Sequence, residues 1–77
     1  MTLEDFSELA APEGFRAFVI VTRSGWSIQV PQREFVSIPP QPASYIIVYT
    51  SRASHIPRLV DLGAIDHIEY NEKGTNL

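Results

Sequence analysis

The chain has 77 residues, no cysteine, and a net charge of −3 from 6 Lys plus Arg against 9 Asp plus Glu. This length corresponds to one small domain, and the lack of cysteine excludes both a disulfide framework and a thiolate metal site. The apolar run Ala17–Val21 is far shorter than the roughly 20 residues of a membrane span, and no basic and apolar leader precedes it. We therefore expect a cytoplasmic protein that does not enter a membrane.

A short N-terminal helix is predicted over Thr2–Ala11. Apolar residues recur there at helical spacing, and Thr2 with Asp5 forms the pattern of a capping box. Pro12 and Gly14 end the helix. Because so short a helix is marginal by itself, it must pack against the rest of the domain.

Two strands joined by a tight turn are predicted next. Phe15–Thr22 is apolar on both faces, which is typical of a central strand, whereas Trp26–Val30 alternates apolar and polar residues. Gly25 closes the turn because glycine adopts positive φ readily. Pro31 cannot donate to a ladder, so the second strand should bend or break before extended structure resumes over Glu34–Ile38.

The second half of the chain begins with the stiff segment Pro39–Pro42. The strand Ser44–Thr50 follows, and since it is apolar on both faces it should be well covered or meet a partner subunit. After a polar loop, Ser51–His55, two last short strands are joined at Gly63. Their apolar positions are Leu59, Val60, Leu62, Ile65, Ile68 and Tyr70. The tail Asn71–Leu77 has no periodicity and is expected to be disordered.

One short helix followed by about five strands predicts a mainly β fold. The links between strands are too short for helical crossovers, which excludes a parallel sheet. Five strands in so small a chain favour a bent five-stranded antiparallel sheet or a small open barrel, SH3-like or Sm-like, closed at one end by the helix. We expect one domain over residues 1–70, followed by the tail at 71–77.

Two stretches of the chain resemble Sm-like proteins. Phe18–Val30, an alternating hairpin with a glycine in its turn, resembles the first Sm motif. Leu59–Ile68 resembles the shorter second motif of the bacterial Hfq branch, in which a strand runs into a tight Ala-Ile turn and a closing strand. The helix ahead of the first motif is also in the family position, so the resemblance covers roughly residues 2–70.

A closer resemblance is to a group of small bacterial proteins without assigned function. They share a pattern of the type Phe15-Arg16-x-Phe18, a turn glycine, an apolar strand that ends near Pro31, and Glu34-Phe35. This second resemblance implies no activity.

Sm-like proteins form rings in which the fourth strand of one subunit pairs with the fifth strand of the next, and many bind RNA on the ring faces. The resemblance therefore implies a homo-oligomer that associates through its sheet edges. The expected interface residues are Tyr49, Arg58, Val60, Leu62, Ile65, Ile68 and Tyr70. Tyr45 or Tyr49 must point away from the core, and a proline at Val60 should dissociate the oligomer by removing a ladder donor.

The RNA-binding chemistry of the Hfq branch does not carry over. That branch has a basic and imidazole-containing pair just before the Ala-Ile turn, whereas this chain has Leu62 and Gly63 there, preceded by Asp61. The leading hypothesis is thus a non-enzymatic interaction module whose partner is itself or an unidentified protein.

Weak binding of RNA or another single-stranded nucleic acid is the alternative function. Arg23 and Trp26 lie together at the predicted hairpin tip, where an indole could stack on a base beside a cation. The 6 cations are scattered, however, and 9 carboxylates outnumber them. An ordinary explanation is that these arginines make the loop tips soluble.

Catalytic and metal sites are not predicted. His55 and His67 have no helical i, i+4 partner, and His67 with Glu69 on one strand face allows a two-ligand site at most. Ser51 and Ser54 lack the glycine-framed turn of an activated serine. We therefore expect neither an enzyme nor a cofactor.

Overall fold

The computed structural model describes residues 1–49 and 57–70. Helix α1 spans Leu3–Leu9, and six strands follow within the described residues. The strands are β1 (Phe18–Thr22), β2 (Ser27–Val30), β3 (Val36–Ser37), β4 (Tyr45–Tyr49), β5 (Pro57–Asp61) and β6 (Ile65–Tyr70). The prediction of a mainly β fold with one short N-terminal helix is confirmed, whereas the predicted loop 51–55 and tail 71–77 lie outside the described residues.

The strands form two antiparallel sheets of three strands each, in the orders β2-β1-β6 and β3-β4-β5. Antiparallel pairing was predicted and is confirmed, but the single five-stranded sheet or small barrel is replaced by two sheets. The difference arises after Pro31, where Arg33–Phe35 forms a 3₁₀ helix that breaks the second strand into β2 and β3. A second 3₁₀ helix, Leu62–Ala64, carries the chain back from β5 to β6.

Helix α1 begins as the sequence predicts. The Asp5 N–H donates to Thr2 Oγ1 at 3.0 Å, and the Asp5 carboxylate reaches back to the Thr2 amide at 3.5 Å, which completes the capping box. Phe6 is fully buried and packs edge to face on Phe18, with ring centroids 5.9 Å apart. This contact fixes the helix to the sheet that contains β1.

The β1–β2 hairpin follows the predicted alternation, although β1 begins at Phe18 rather than at Phe15. Gly25 has φ 96°, as the turn requires. The Thr22 N–H donates to the Trp26 carbonyl at 2.9 Å, and the Trp26 N–H donates to Thr22 Oγ1 at 3.0 Å. In β1, Phe18 and Ile20 are buried while the intervening residues are half-buried, so β1 is the central strand of its sheet.

Both sheets contribute to one hydrophobic core. The helix, the helical turn before β6 and every strand supply at least one of its buried side chains. Those side chains are Leu3, Phe6, Ala10, Phe18, Ile20, Ile28, Val30, Val36, Ile46, Val48, Val60, Leu62 and Ile65. The outer edges of both sheets are therefore held in place by shared packing.

Candidate functional site

Strand β5 is an edge strand, and its ladder to β4 determines which backbone groups face outward. The Leu62 N–H donates to the Ser44 carbonyl at 2.8 Å. Bonded pairs alternate along an antiparallel ladder, so Val60 also bonds to β4. Leu59 and Asp61 therefore direct their N–H and C=O groups away from β4. No further strand of the described residues pairs with β5 on that side, so these two residues form its open edge.

Strand β6 is the corresponding edge of the other sheet. The Thr22 N–H donates across the hairpin to β2 at 2.9 Å, so the preceding residue, Val21, bonds to β6 instead. The register partner of Val21 is His67. By the same alternation, Ile68 and Tyr70 point their backbone groups outward. Each of the two edge strands thus pairs with one neighbour in the described chain.

The outer face of the β4–β5 pair is apolar. Leu59 is 69% exposed, the highest value among the large hydrophobic residues of the described chain. It lies opposite Ile47, which is half-buried on the same face. Tyr45 and Tyr49 share this face with Ile47 because alternate residues of a strand point the same way, so both tyrosines point away from the core.

A groove of about 320 Å³ runs between β5 and the β1–β2 hairpin. Arg58 through Asp61 line one side of it, and Trp26 and Ile28 lie on the other. The Arg58 guanidinium carbon lies 4.9 Å from the centroid of the Trp26 indole, a cation–π contact, and 56% of Trp26 is exposed. Arg58 is the only cation, and Asp61 the only carboxylate, among the described residues that line this groove.

Arg23 has a different position from the one that the nucleic-acid hypothesis assumes. Its Nε donates to the Gly63 carbonyl at 3.0 Å, and its backbone N–H donates to the Ala64 carbonyl at 2.9 Å. Arg23 therefore ties the hairpin tip to the 3₁₀ helix that precedes β6. The cation that lies against Trp26 is Arg58, one of the residues predicted for the oligomer interface.

The predicted interface residues divide into two groups by burial. Val60, Leu62 and Ile65 are buried, so their side chains belong to the core and only their backbone could take part in an interface. The others, Tyr49, Arg58, Ile68 and Tyr70, are half-buried or exposed. Leu59 was not among the predicted interface residues although it is the most exposed of the large apolar side chains.

The exposed outer side of β6 carries a cluster of three ionisable residues. His67 Nδ1 lies 2.8 Å from Asp66 Oδ2, and His67 Nε2 lies 2.9 Å from Glu69 Oε2. The predicted placement of His67 and Glu69 on one face is thus confirmed. Hydrogen bonds to Asp66 and then to Glu69 raise the pKa of His67 above its usual 6.5. An imidazole that donates to both carboxylates is protonated, since the neutral ring has only one N–H.

No metal-binding cluster is found among the described residues. Residues 1–49 and 57–70 contain no group of three His, Cys, Asp or Glu side chains that could hold a metal ion. The remaining histidine, His55, and the two serines of the same segment, Ser51 and Ser54, lie outside the described residues.

No protein-family model matches the chain, and neither a curated protein nor a solved structure matches it. The Sm-like assignment is therefore a prediction from the residues quoted above. No helix in the described part of the chain is long and apolar enough to cross a membrane.

Proposed function

We propose that the protein is a non-enzymatic interaction module that self-associates through the edges of β5 and β6, in the manner that the Sm-like resemblance implies. One observation carries the proposal. Strand β5 combines an open edge at Leu59 and Asp61 with a Leu59 side chain that is 69% exposed. An edge of this kind is a template for pairing with another strand. The lack of cysteine is in keeping with a role in the cytoplasm.

Pairing of β5 with β6 of another copy would satisfy both edges at once. Each copy has one edge of each kind, so the contact is head to tail, and repeated contacts either close into a ring or extend as a filament. Pro57, at the start of β5, is the only residue of this strand that lacks a backbone N–H. A small domain also gains the apolar burial that its own core is too small to supply.

Proline substitution at the open edge tests this proposal. Leu59→Pro removes an outward N–H from β5, and Gln29→Pro is the matched control. Thr22 and Trp26 form a hydrogen-bonded pair of the hairpin, and bonded and non-bonded pairs alternate along it, so the pair of Val19 and Gln29 is non-bonded. The Gln29 N–H therefore also points outward, but from β2, which the proposed contact does not use. Light scattering coupled to size exclusion should show a multiple of 8.6 kDa for the wild type and the control, and a monomer for Leu59→Pro.

The expectation that a proline at Val60 would act specifically on the oligomer needs correction. The Val60 N–H faces β4, and its side chain is buried. Val60→Pro would therefore break the ladder within one copy and unfold the domain.

A wild-type protein that stays at 8.6 kDa over a wide concentration range would contradict the proposed self-association.

Weak binding of single-stranded RNA or DNA is a second candidate function. It is favoured by the exposed Trp26 indole beside the Arg58 guanidinium, a pair that can stack a base and meet a phosphate. Tryptophan emission should be quenched by short oligonucleotides, and the quenching should disappear with added salt. Arg58→Gln should weaken it more than Arg23→Gln, since Arg23 is held by Gly63. An unchanged emission at low salt would contradict this candidate.

A further inference from the structure

We infer that the groove between β5 and the β1–β2 hairpin binds a small aromatic carboxylate, with its ring on the Trp26 indole and its carboxylate on the Arg58 guanidinium. The inference goes beyond the proposed self-association and does not depend on it, since the residues that line the groove belong to one copy. Four properties of the groove carry it: its size, its aromatic wall, its single cation and the spacing of its two charges.

The groove has the size and the lining of a small-molecule site. Its volume of about 320 Å³ lies at the lower end of the range of about 300 to 1,000 Å³ that such sites occupy. It therefore accepts one ring system rather than several. Most of its surface is apolar, and Ile28, Val60 and Ala64 line it together with Trp26. A lining of this kind favours an apolar ligand that carries one or two polar groups.

The backbone of Trp26 is held in position before any ligand binds. Its N–H donates to Thr22 Oγ1 at 3.0 Å, and its carbonyl accepts from the Thr22 N–H at 2.9 Å. Thr22 Oγ1 also lies 2.9 Å from Ser24 Oγ, which ties the turn together at a further point. Because 56% of Trp26 is exposed, its ring offers an open surface for stacking. A turn that is already ordered reduces the ordering that binding requires.

Arg58 supplies a cation that has no carboxylate partner among residues 1–49 and 57–70. Its guanidinium carbon lies 4.9 Å from the centroid of the Trp26 ring. A guanidinium stacks on an aromatic ring through its flat face, whereas its N–H donors lie in its plane, so the contact leaves donors for an anion. The fork of these donors matches the two oxygens of a carboxylate. A carboxylate on an aromatic ring therefore suits Arg58 and Trp26 together.

The two charges of the groove orient the ligand and limit its charge. Arg58 and Asp61 are three residues apart in β5, which places their backbones about 10 Å apart along the strand. The carboxylate of a ligand therefore lies at the Arg58 end, and its ring extends toward Asp61. No second cation of the described residues lines the groove, and the chain has a net charge of −3, so a second negative charge on the ligand is repelled. These charges favour a carboxylate over a phosphate, which is close to a dianion.

Three naphthalene compounds that carry different polar groups on the same ring carbon test the inference. Naphthoate has one negative charge, naphthamide is neutral, and naphthyl phosphate is close to a dianion at neutral pH. The chain has one tryptophan, so its indole N–H gives a single signal in a nitrogen–proton NMR spectrum. Titration with naphthoate should shift this signal and the backbone signals of Leu59 and Val60. Naphthoate should bind about tenfold more tightly than naphthamide, because its hydrogen bonds with Arg58 join two charged groups.

Matched variants assign the binding to the two residues. Arg58→Gln should raise the dissociation constant of naphthoate about tenfold and leave that of naphthamide unchanged, because it removes only the charge. Trp26→Leu should weaken both compounds about fivefold on the backbone signals, because it removes the stacking surface. Arg16→Gln is the control. Arg16 also lies over an aromatic ring, 4.3 Å from the Tyr70 centroid, but neither residue lines the groove, so the binding should not change.

The outcomes separate this inference from the other functions. Tighter binding of naphthoate than of naphthamide, lost in Arg58→Gln and kept in Arg16→Gln, supports the carboxylate site. Equal binding of the two compounds, or no shift at millimolar concentrations, refutes it. Tighter binding of naphthyl phosphate than of naphthoate also refutes it and favours the nucleic-acid candidate. Self-association is measured by light scattering without any ligand, so its failure is distinguishable from the failure of this site.

Discussion

Truncation of Leu59 should weaken self-association without destabilising the fold. Full burial of a leucine side chain contributes about 1.5 to 3 kcal/mol. Because 69% of Leu59 is exposed in the single copy, most of this contribution is available to an interface. Leu59→Ala removes most of the apolar surface, so it should cost about 1 to 1.4 kcal/mol per contact, or roughly five- to tenfold in the dissociation constant.

Sedimentation equilibrium over a range of concentrations measures this shift, and urea unfolding measures the stability of the fold. The matched control is the adjacent residue, since Val60 is 7% exposed and belongs to the core. Val60→Ala should lower the free energy of unfolding by about 2 kcal/mol, whereas Leu59→Ala should leave it nearly unchanged. If Leu59→Ala destabilises the fold as much as Val60→Ala and leaves association unaltered, the assignment of Leu59 to an interface is refuted.

Three further predictions concern the fold. Phe6→Ala should lower the free energy of unfolding by about 3 to 5 kcal/mol in urea, because it removes the fully buried contact of α1 with Phe18; a loss below about 1 kcal/mol would show that the helix is not docked. Gly25→Ala should cost about 1 kcal/mol in the same assay, since φ is 96° and nothing lies within 4 Å of the added carbon; an unchanged stability would contradict that turn. His67 has a pKa raised above 6.5 in the folded chain, so its stabilisation is complete below pH 6.5 and is lost as the pH rises through the higher, folded value. The difference in stability between wild type and His67→Gln should therefore shrink as pH rises above 6.5, and a difference that grows with pH would refute the carboxylate contacts.

Local signals in the sequence were sufficient to predict several elements. The spacing of Thr2 and Asp5 is the capping box that begins α1, and Gly25 marks the hairpin turn because that turn needs a residue with positive φ. The face shared by His67 and Glu69 follows from the two-residue period of a strand. Each of these features depends on residues that are close together in the chain.

Features that depend on tertiary structure could not be predicted in this way. Pro31 predicts that the second strand is interrupted. Nothing in the local sequence shows that the chain then passes, through the 3₁₀ helix Arg33–Phe35, from the sheet of β2 to the sheet of β3. The contact of Arg58 with Trp26 joins distant parts of the chain, whereas the local sequence pattern places only Arg23 beside Trp26. The exposure of Leu59 depends on which face of β5 is turned toward the core, which composition does not reveal.

The Leu62–Ala64 helix also determines the geometry of any assembly that uses both edges. It is the only link between β5 and β6 along the chain, and Arg23 fastens it to the hairpin through two hydrogen bonds, to Gly63 and Ala64. The angle between the outer edges of β5 and β6 in one copy is therefore held by this short helix and Arg23, together with the core that both sheets share. In a head-to-tail assembly that angle sets how far each copy turns from the last, and hence the number of copies that close a ring.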